Sequence, residues 1–341
     1  MKFVSYSTIQ APERLGLIID DKIVDLANSA RAIGEDLSSS MSEFLAGEER
    51  LMERAQRVCT SLLNDPDTQV IVPTARLLAP VPHPTSCRDA YAFRQHVATA
   101  RRNRGAEMIP EFDEFPVFYF TNHNGIIGPG EVVVEADHLQ QLDFELEVAI
   151  VIGKRGKNIS MREADRFIAG FMVMNDLSAR VLQMDEMKLS LGPAKGKDFA
   201  TAVGPWLVTP DELVPHLIRG EAGNGYDLRM TAYHNGAQVS DGNLKQMNWT
   251  FAEIIERAAY GVELFPGDII GSGTVGTGCY LELNGTRALQ AKADGESFFP
   301  AWLQAGDLIE LEVTGLGKLS NTVVKAPVDR SILAKKKISR Q

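Results

Sequence analysis

The stretch Leu142-Asp143-Phe144-Glu145-Leu146-Glu147-Val148-Ala149-Ile150-Val151-Ile152-Gly153 decides how this chain is read. Its second half is an unbroken apolar run ending at a glycine, the pattern of a buried strand. Its first half alternates. Side chains on a strand repeat every two residues. Continued back to residue 142, the strand puts Asp143, Glu145 and Glu147 on one face, Phe144 and Leu146 on the other. Carboxylates carried into a buried strand cannot stay ionised without compensation. A hard divalent cation, Mg²⁺ or Ca²⁺, compensates them through oxygen ligands. A half-exposed edge strand with its carboxylates in water satisfies the same pattern. The metal reading therefore needs more oxygen ligands from elsewhere in the chain.

The 341 residues exceed one typical core, so a large domain and a small one are expected. With 44% hydrophobic and 23% charged residues, the composition is that of a soluble globular protein. A net charge of −10 argues against a nucleic-acid surface. The dense basic segments, Arg101-Arg102-Asn103-Arg104 and Lys335-Lys336-Lys337, read as a loop and a solvated terminus. No apolar run reaches the ~20 residues of a membrane span, and the N-terminus has no signal-peptide core. Three cysteines without a C-x-x-C pair suggest free thiols in a reducing cytoplasm.

Residues 16–26 read as a hairpin, Ser40-x-x-Glu43 as a capping box, and 48–63 as an amphipathic helix. Pro80, Pro82 and Pro84 form a stiff connector, and the domain boundary is placed there. Asp89 and His96 stand seven residues apart, which on a helix is two turns and one face. Residues 101–115 lack a period and read as a lid-like loop. Ser160-x-x-Glu163 is expected to cap a helix reaching about Ala169. Phe171–Met174 reads as a second buried strand, ending at Asn175-Asp176. Asp176 is either the N-cap of the following helical pattern or a further carboxylate ligand. The glycine-rich segment 192–199 lacks the order of a phosphate loop. Strands dominate and few lie in βαβ order, so a doubly wound sheet is not expected.

Six motifs, in order, resemble the fumarylacetoacetate hydrolase family. They are D-x-Y-x-x-R-Q-H from Asp89 to His96, F-E-L-E with Glu145 and Glu147, and M-N-D-x-S-A-R with Asp176. G-K-D-F with Lys197, S-G-T with Thr274 and L-E-L with Glu282 complete the set. The resemblance implies a β-rich α+β fold: a mixed β-sandwich roll catalytic domain over 81–341, with a small N-terminal β/α domain over 1–80. It implies Asp89, Glu145, Glu147 and Asp176 as ligands of Mg²⁺ or Ca²⁺. It also implies His96 as the base, Glu282 as its orienting partner, and Lys197 as a catalytic cation. Tyr91, Arg101, Gln183 and Thr274 are the implied substrate contacts, with Arg102 and Arg104 as further candidates for the arginine that grips a carboxylate.

The implied activity is hydrolysis of a C–C bond in a β-diketo acid, fumarylacetoacetate or an acylpyruvate, by a homodimer. Many shorter family members acting as decarboxylases or hydratases lack the D-x-Y-x-x-R-Q-H segment, so the resemblance at this segment favours hydrolysis. A lyase on the same scaffold (oxaloacetate-type decarboxylase or 2-oxo-enoate hydratase/isomerase) and a non-catalytic metal-binding relative are the alternatives. This chain departs from the family pattern in a reduced insertion after the paired glutamates. It also has Met187 or Lys188 where a tyrosine is expected. His83, His123, His138, His216 and His234 are read as structural or surface residues.

Overall fold

The computed structural model describes residues 1–334, and the basic Lys335-Lys336-Lys337 segment lies outside them. The fold is a sheet-rich mixed α+β architecture without a closed barrel. The main sheet runs, in spatial order, through Lys22–Asp25, Ala11–Ile19, Lys2–Thr8, Thr201–Val208 and Ile168–Asp176. It continues through Leu146–Ile152, Ile269–Gly271, Cys87–Ala90 and Phe118–Thr121. A five-stranded sheet of Ala237–Asn243, Arg229–His234, Leu308–Val313, Gly317–Lys325 and Gly130–Val134 packs against it. Asn235 and Gly236, both at positive φ, turn the 229–243 hairpin, as His234-Asn235-Gly236 suggests.

The unbroken apolar run of the central strand follows from its two covered faces. Val148, Ile150 and Ile152 join a core with Phe171, Met230, Leu311 and the Phe251–Ala259 helix. Ala149 and Val151 face a second core with Met172, Leu207, Phe3, Leu17 and the helices Met41–Ala46 and Glu48–Asn64. Neither face meets water, so neither needs polar residues. The main sheet crosses residue 80, because Lys2 and Phe3 pair with Val208 and Leu207.

Several local expectations change. Residues 142–152 are not one strand: Leu142–Asp143 pairs with Ser178–Ala179, and the ladder resumes at Leu146. Asp89 lies in the strand Cys87–Ala90 while His96 lies in the helix Arg94–Arg102, so they do not share a helix face. Asp176 caps nothing; it ends its strand, and the next helix begins at Arg180 after Ala179. Neither Ser40 nor Ser160 bonds a helix N–H, and Ser160 bonds the Glu163 carboxylate instead. The Ser160 helix stops at Ala164 because Ile168 already belongs to the sheet. Residues 110–113 form a 3₁₀ turn, held by Trp249 Nε1 donating to the Phe112 carbonyl at 2.9 Å.

Candidate active site

The strands 146–152 and 168–176 are antiparallel, while 269–271 and 87–90 run parallel to each other. This brings Glu145 and Glu147, at the start of one strand, beside Asp176 and Asp89, near the ends of two others. One oxygen of each of Asp89, Glu145, Glu147 and Asp176 lies within 4.8 Å of the others, and all four residues are buried. Gly271 makes the approach of these strands feasible: a Cβ there would stand 2.5 Å from Asp89 Oδ1. Gly273, at φ 79, donates its N–H to the same oxygen at 3.1 Å.

Two buried cations answer five buried carboxylates. Arg180 Nη2 lies 2.7 Å from both Asp143 and Glu145. Lys197 Nζ bonds Glu145, and Asp176 at 2.6 Å. Gly196 lets the lysine loop lie flat on the Arg180–Met187 helix, since a Cβ would stand 2.6 Å from Gln183 Cα. Asp143 turns away from the cluster, accepting from Arg180 and from the N–H groups of Tyr280 and Leu281. Its place beside Glu145 and Glu147 on one strand face is therefore corrected: the break at 144–145 sends it to the helix start instead.

Burial and the neighbouring Asp176 push the Asp89 carboxyl up to about 8. Burial, then Asp89 and Glu145, hold Glu147 well above the usual carboxylate range. Burial also raises Asp176, against the opposing pull of Lys197. For Glu145 burial acts upward too, but Lys197 and Arg180 outweigh it and hold the group down at about 2. Glu147 Oε2 and Asp176 Oδ1 are buried without a hydrogen-bond partner among the described residues. Two unpartnered carboxylate oxygens and a surplus of negative charge fit a divalent ion, and an all-oxygen donor set suits a hard one.

Beside the cluster, His96 Nδ1 lies 2.7 Å from Glu282 Oε2. Glu282 stands on the helix Tyr280–Asp294, and its second oxygen accepts from the Thr277 N–H at 3.0 Å. A cavity of about 430 Å³ opens over the acidic floor, and its lining includes Tyr91, His96, Gln183, Lys197 and Thr274. Thr274 Oγ1 reaches Glu147 at 3.3 Å, so it is more than a turn hydroxyl. Arg101 is not part of this lining; its guanidinium bonds the Glu107 carbonyl, and Arg104 lines the cavity in its stead. Of the other histidines, His83 pairs with Glu13 at the surface, His138 stacks on Phe199, and His234 bonds Tyr280.

Sequence reasoning passed over three site residues. Arg180 closes the M-N-D-x-S-A-R motif, yet its role needs Asp143 and Glu145 beside it. Tyr119, whose hydroxyl bonds Asp176, is one aromatic among three in Phe118-Tyr119-Phe120. Cys279, wholly buried, completes a cluster with His96 and Glu282, and burial pushes its thiol up.

Residues 85–324 match the model of the fumarylacetoacetate (FAA) hydrolase C-terminal domain. The chain belongs to the fumarylacetoacetate hydrolase family. It is 30% identical over 305 residues to the mitochondrial oxaloacetate tautomerase FAHD2A of Bos taurus, covering 89% of this chain and 84% of that one. It is 27% identical over 320 residues to the oxaloacetate tautomerase YisK of Bacillus subtilis, covering 91% and 95%. Among solved structures, the fumarylacetoacetate hydrolase of Exiguobacterium antarcticum superposes with a TM-score of 0.69 at 23% identity, over 96% of this chain and all of that one. Family members are enzymes that use divalent metals, and the fold expected from the motifs is the fold observed.

Proposed function

We propose that this fumarylacetoacetate hydrolase family member is a divalent-metal-dependent hydrolase that cleaves a C–C bond in a β-diketo acid, fumarylacetoacetate or an acylpyruvate. The observation that carries this reading is the His96–Glu282 pair, which stands formed beside the acidic floor. A base of this kind is what water addition to a carbonyl requires.

Asp89, Glu145, Glu147 and Asp176 would hold Mg²⁺ or Ca²⁺, which when bound supplies Lewis-acid charge for an enolate. With Nδ1 on Glu282, His96 uses Nε2 to take a proton from water as its oxygen adds to the acyl carbonyl. Lys197 answers the charge on the tetrahedral oxyanion. Collapse re-forms the carbonyl as a carboxylic acid and breaks the C–C bond, leaving its electron pair on the departing oxo acid, pyruvate or acetoacetate, as an enolate. The imidazolium returns its proton to that carbon. Tyr91, Gln183, Thr274 and Arg104 position the substrate, and Arg104 takes the place first given to Arg101.

A second reading is keto–enol interconversion of a 2-oxo dicarboxylate, supported by the relatives called oxaloacetate tautomerases. There His96 would move one proton and no bond between carbons would break. Mg²⁺-loaded protein incubated with acylpyruvates, fumarylacetoacetate and oxaloacetate separates the two. Release of a carboxylic acid with pyruvate or acetoacetate supports hydrolysis; decay of the enol absorbance without new acids supports tautomerisation.

We further propose a division into 1–80 and 81–341, a homodimeric unit and a reducing, cytoplasmic compartment. Cys59, Cys87 and Cys279, all free thiols, support the last. Among the described residues no helix is long and apolar enough to cross a membrane.

A further inference from the structure

The two helices that carry the dyad continue past it and frame a second hollow. From His96, the same face of its helix runs through Ala100, four residues on, and Arg104 follows in the turn just past the helix end at Arg102. From Leu281, the partner helix runs through Gly285 to Ala288, at spacings of four and seven. The helices approach closely here, since a Cβ on Gly285 would stand 2.6 Å from Asn103. Between them, under Phe298 and Trp302, lies a groove of about 360 Å³. Ala100, Arg104 and Leu281 line both this groove and the cavity over the acidic floor, so the two hollows meet there.

The groove walls are apolar. Two asparagines border it, but their amides are already used. Asn284 exchanges two hydrogen bonds with Ala301, at 2.8 and 3.0 Å, and Asn103 donates to the Glu282 carbonyl at 2.9 Å. Arg104 is the charged exception. Its Nε bonds the Ala100 carbonyl at 3.0 Å, which folds it back at the junction rather than along the groove. The helix from His96 to its last residue, Arg102, rises about 9 Å, and Arg104 sits in the turn just beyond it, so the two hollows together offer room for an extended chain leading away from the reacting carbonyl.

We propose that this groove is the acyl-tail subsite of the enzyme. The substrate is then a 2,4-dioxo acid whose acyl group carries an extended apolar tail. The 2,4-dioxo head occupies the cavity over the carboxylates, the acyl carbonyl faces His96, and the tail passes Arg104 and Leu281 to lie against Trp302 and Ala288. This assignment rests on the hydrolase reading for the cleavage but not for the binding.

The test uses the full chain with Mg²⁺ and a series of straight-chain acylpyruvates from acetyl to octanoyl. Both kcat/KM for pyruvate release and Kd by calorimetry are measured. Each added methylene should raise kcat/KM and tighten Kd about threefold to fourfold until the groove is filled. Ala288→Trp, at an exposed helix position, should fill the groove and flatten both slopes while acetylpyruvate turnover stays unchanged. Trp302→Ala should flatten them in part. If nothing is cleaved but the Kd slope is present and is lost in Ala288→Trp, the hydrolase reading fails and the subsite stands. A wild-type Kd that is flat with chain length, or a slope that Ala288→Trp leaves intact, overturns the subsite.

Discussion

His96 and Glu282, 186 residues apart, meet with Nδ1 at 2.7 Å from a carboxylate oxygen, each on its own helix and each buried. The carboxylate holds the ring by one nitrogen and leaves the other for chemistry. His96→Ala should lower kcat by about 10²–10⁴, the usual contribution of a general base, with KM little changed. Metal affinity by calorimetry should survive, because His96 lies outside the carboxylate cluster. Loss of metal binding would make it a ligand instead. Glu282→Gln should show a smaller loss, and the double variant far less than the summed effect.

Glu147 carries an oxygen with no partner among the described residues and is pushed upward by burial. Glu147→Gln should weaken Mg²⁺ or Ca²⁺ binding and activity together. The metal-stripped variant should melt no lower than the metal-stripped parent, because a buried carboxylate under repulsion has been removed. Normal metal occupancy with normal turnover would count against its assignment as a ligand.

Asp89, held up at about 8 by burial and Asp176, makes stability depend on pH. The folded state keeps this proton where an unfolded aspartate, with a pKa of about 3.9, has lost it. The folded protein then binds more protons, so stability falls as pH rises from about 4 to about 8. Glu145, held near 2, contributes in the opposite sense, but only below about 4.5, and is constant above that. The metal-stripped protein should therefore melt lower at pH 8 than at pH 5.5. Excess Mg²⁺ should reverse that order, because binding requires the deprotonated carboxylates. A Tm independent of pH in the stripped protein would refute the coupling.

Lys197 binds two carboxylates at the buried floor of the cavity, where all three side chains are almost wholly covered. Lys197→Met should cost about 3–5 kcal/mol in the metal-stripped state, as removing one partner of a buried ion pair does. Denaturant titration reads this directly. A loss below about 1 kcal/mol would mean that the carboxylates take up protons without it.

Assembly is tested by light scattering, where a homodimer gives twice 37.4 kDa. The edge strand Phe118–Thr121 ends the main sheet and leaves Phe120 65% exposed, a feature an interface would cover. A stable monomer at micromolar concentration would refute it.

The sequence by itself determined the central strand, because an apolar run such as 148–152 is affordable only where both faces are covered. It also determined the order of the motifs that place this chain in its family. Local spacing could not place Asp89 and His96. Seven residues span two helical turns or a strand followed by a helix start equally well, and pairing of Cys87–Ala90 with Ile269–Gly271 selects the second. Nor could it separate Asp143 from Glu145 and Glu147. The period of two holds only while the ladder continues, and the break at 144–145 is imposed by Ser178–Ala179 and by the helix N–H groups at 280 and 281. Arg180 and Tyr119 acquire their places in the site from carboxylates dozens of residues away. Charge compensation in a buried site depends on distance in space, which folding sets and sequence separation does not.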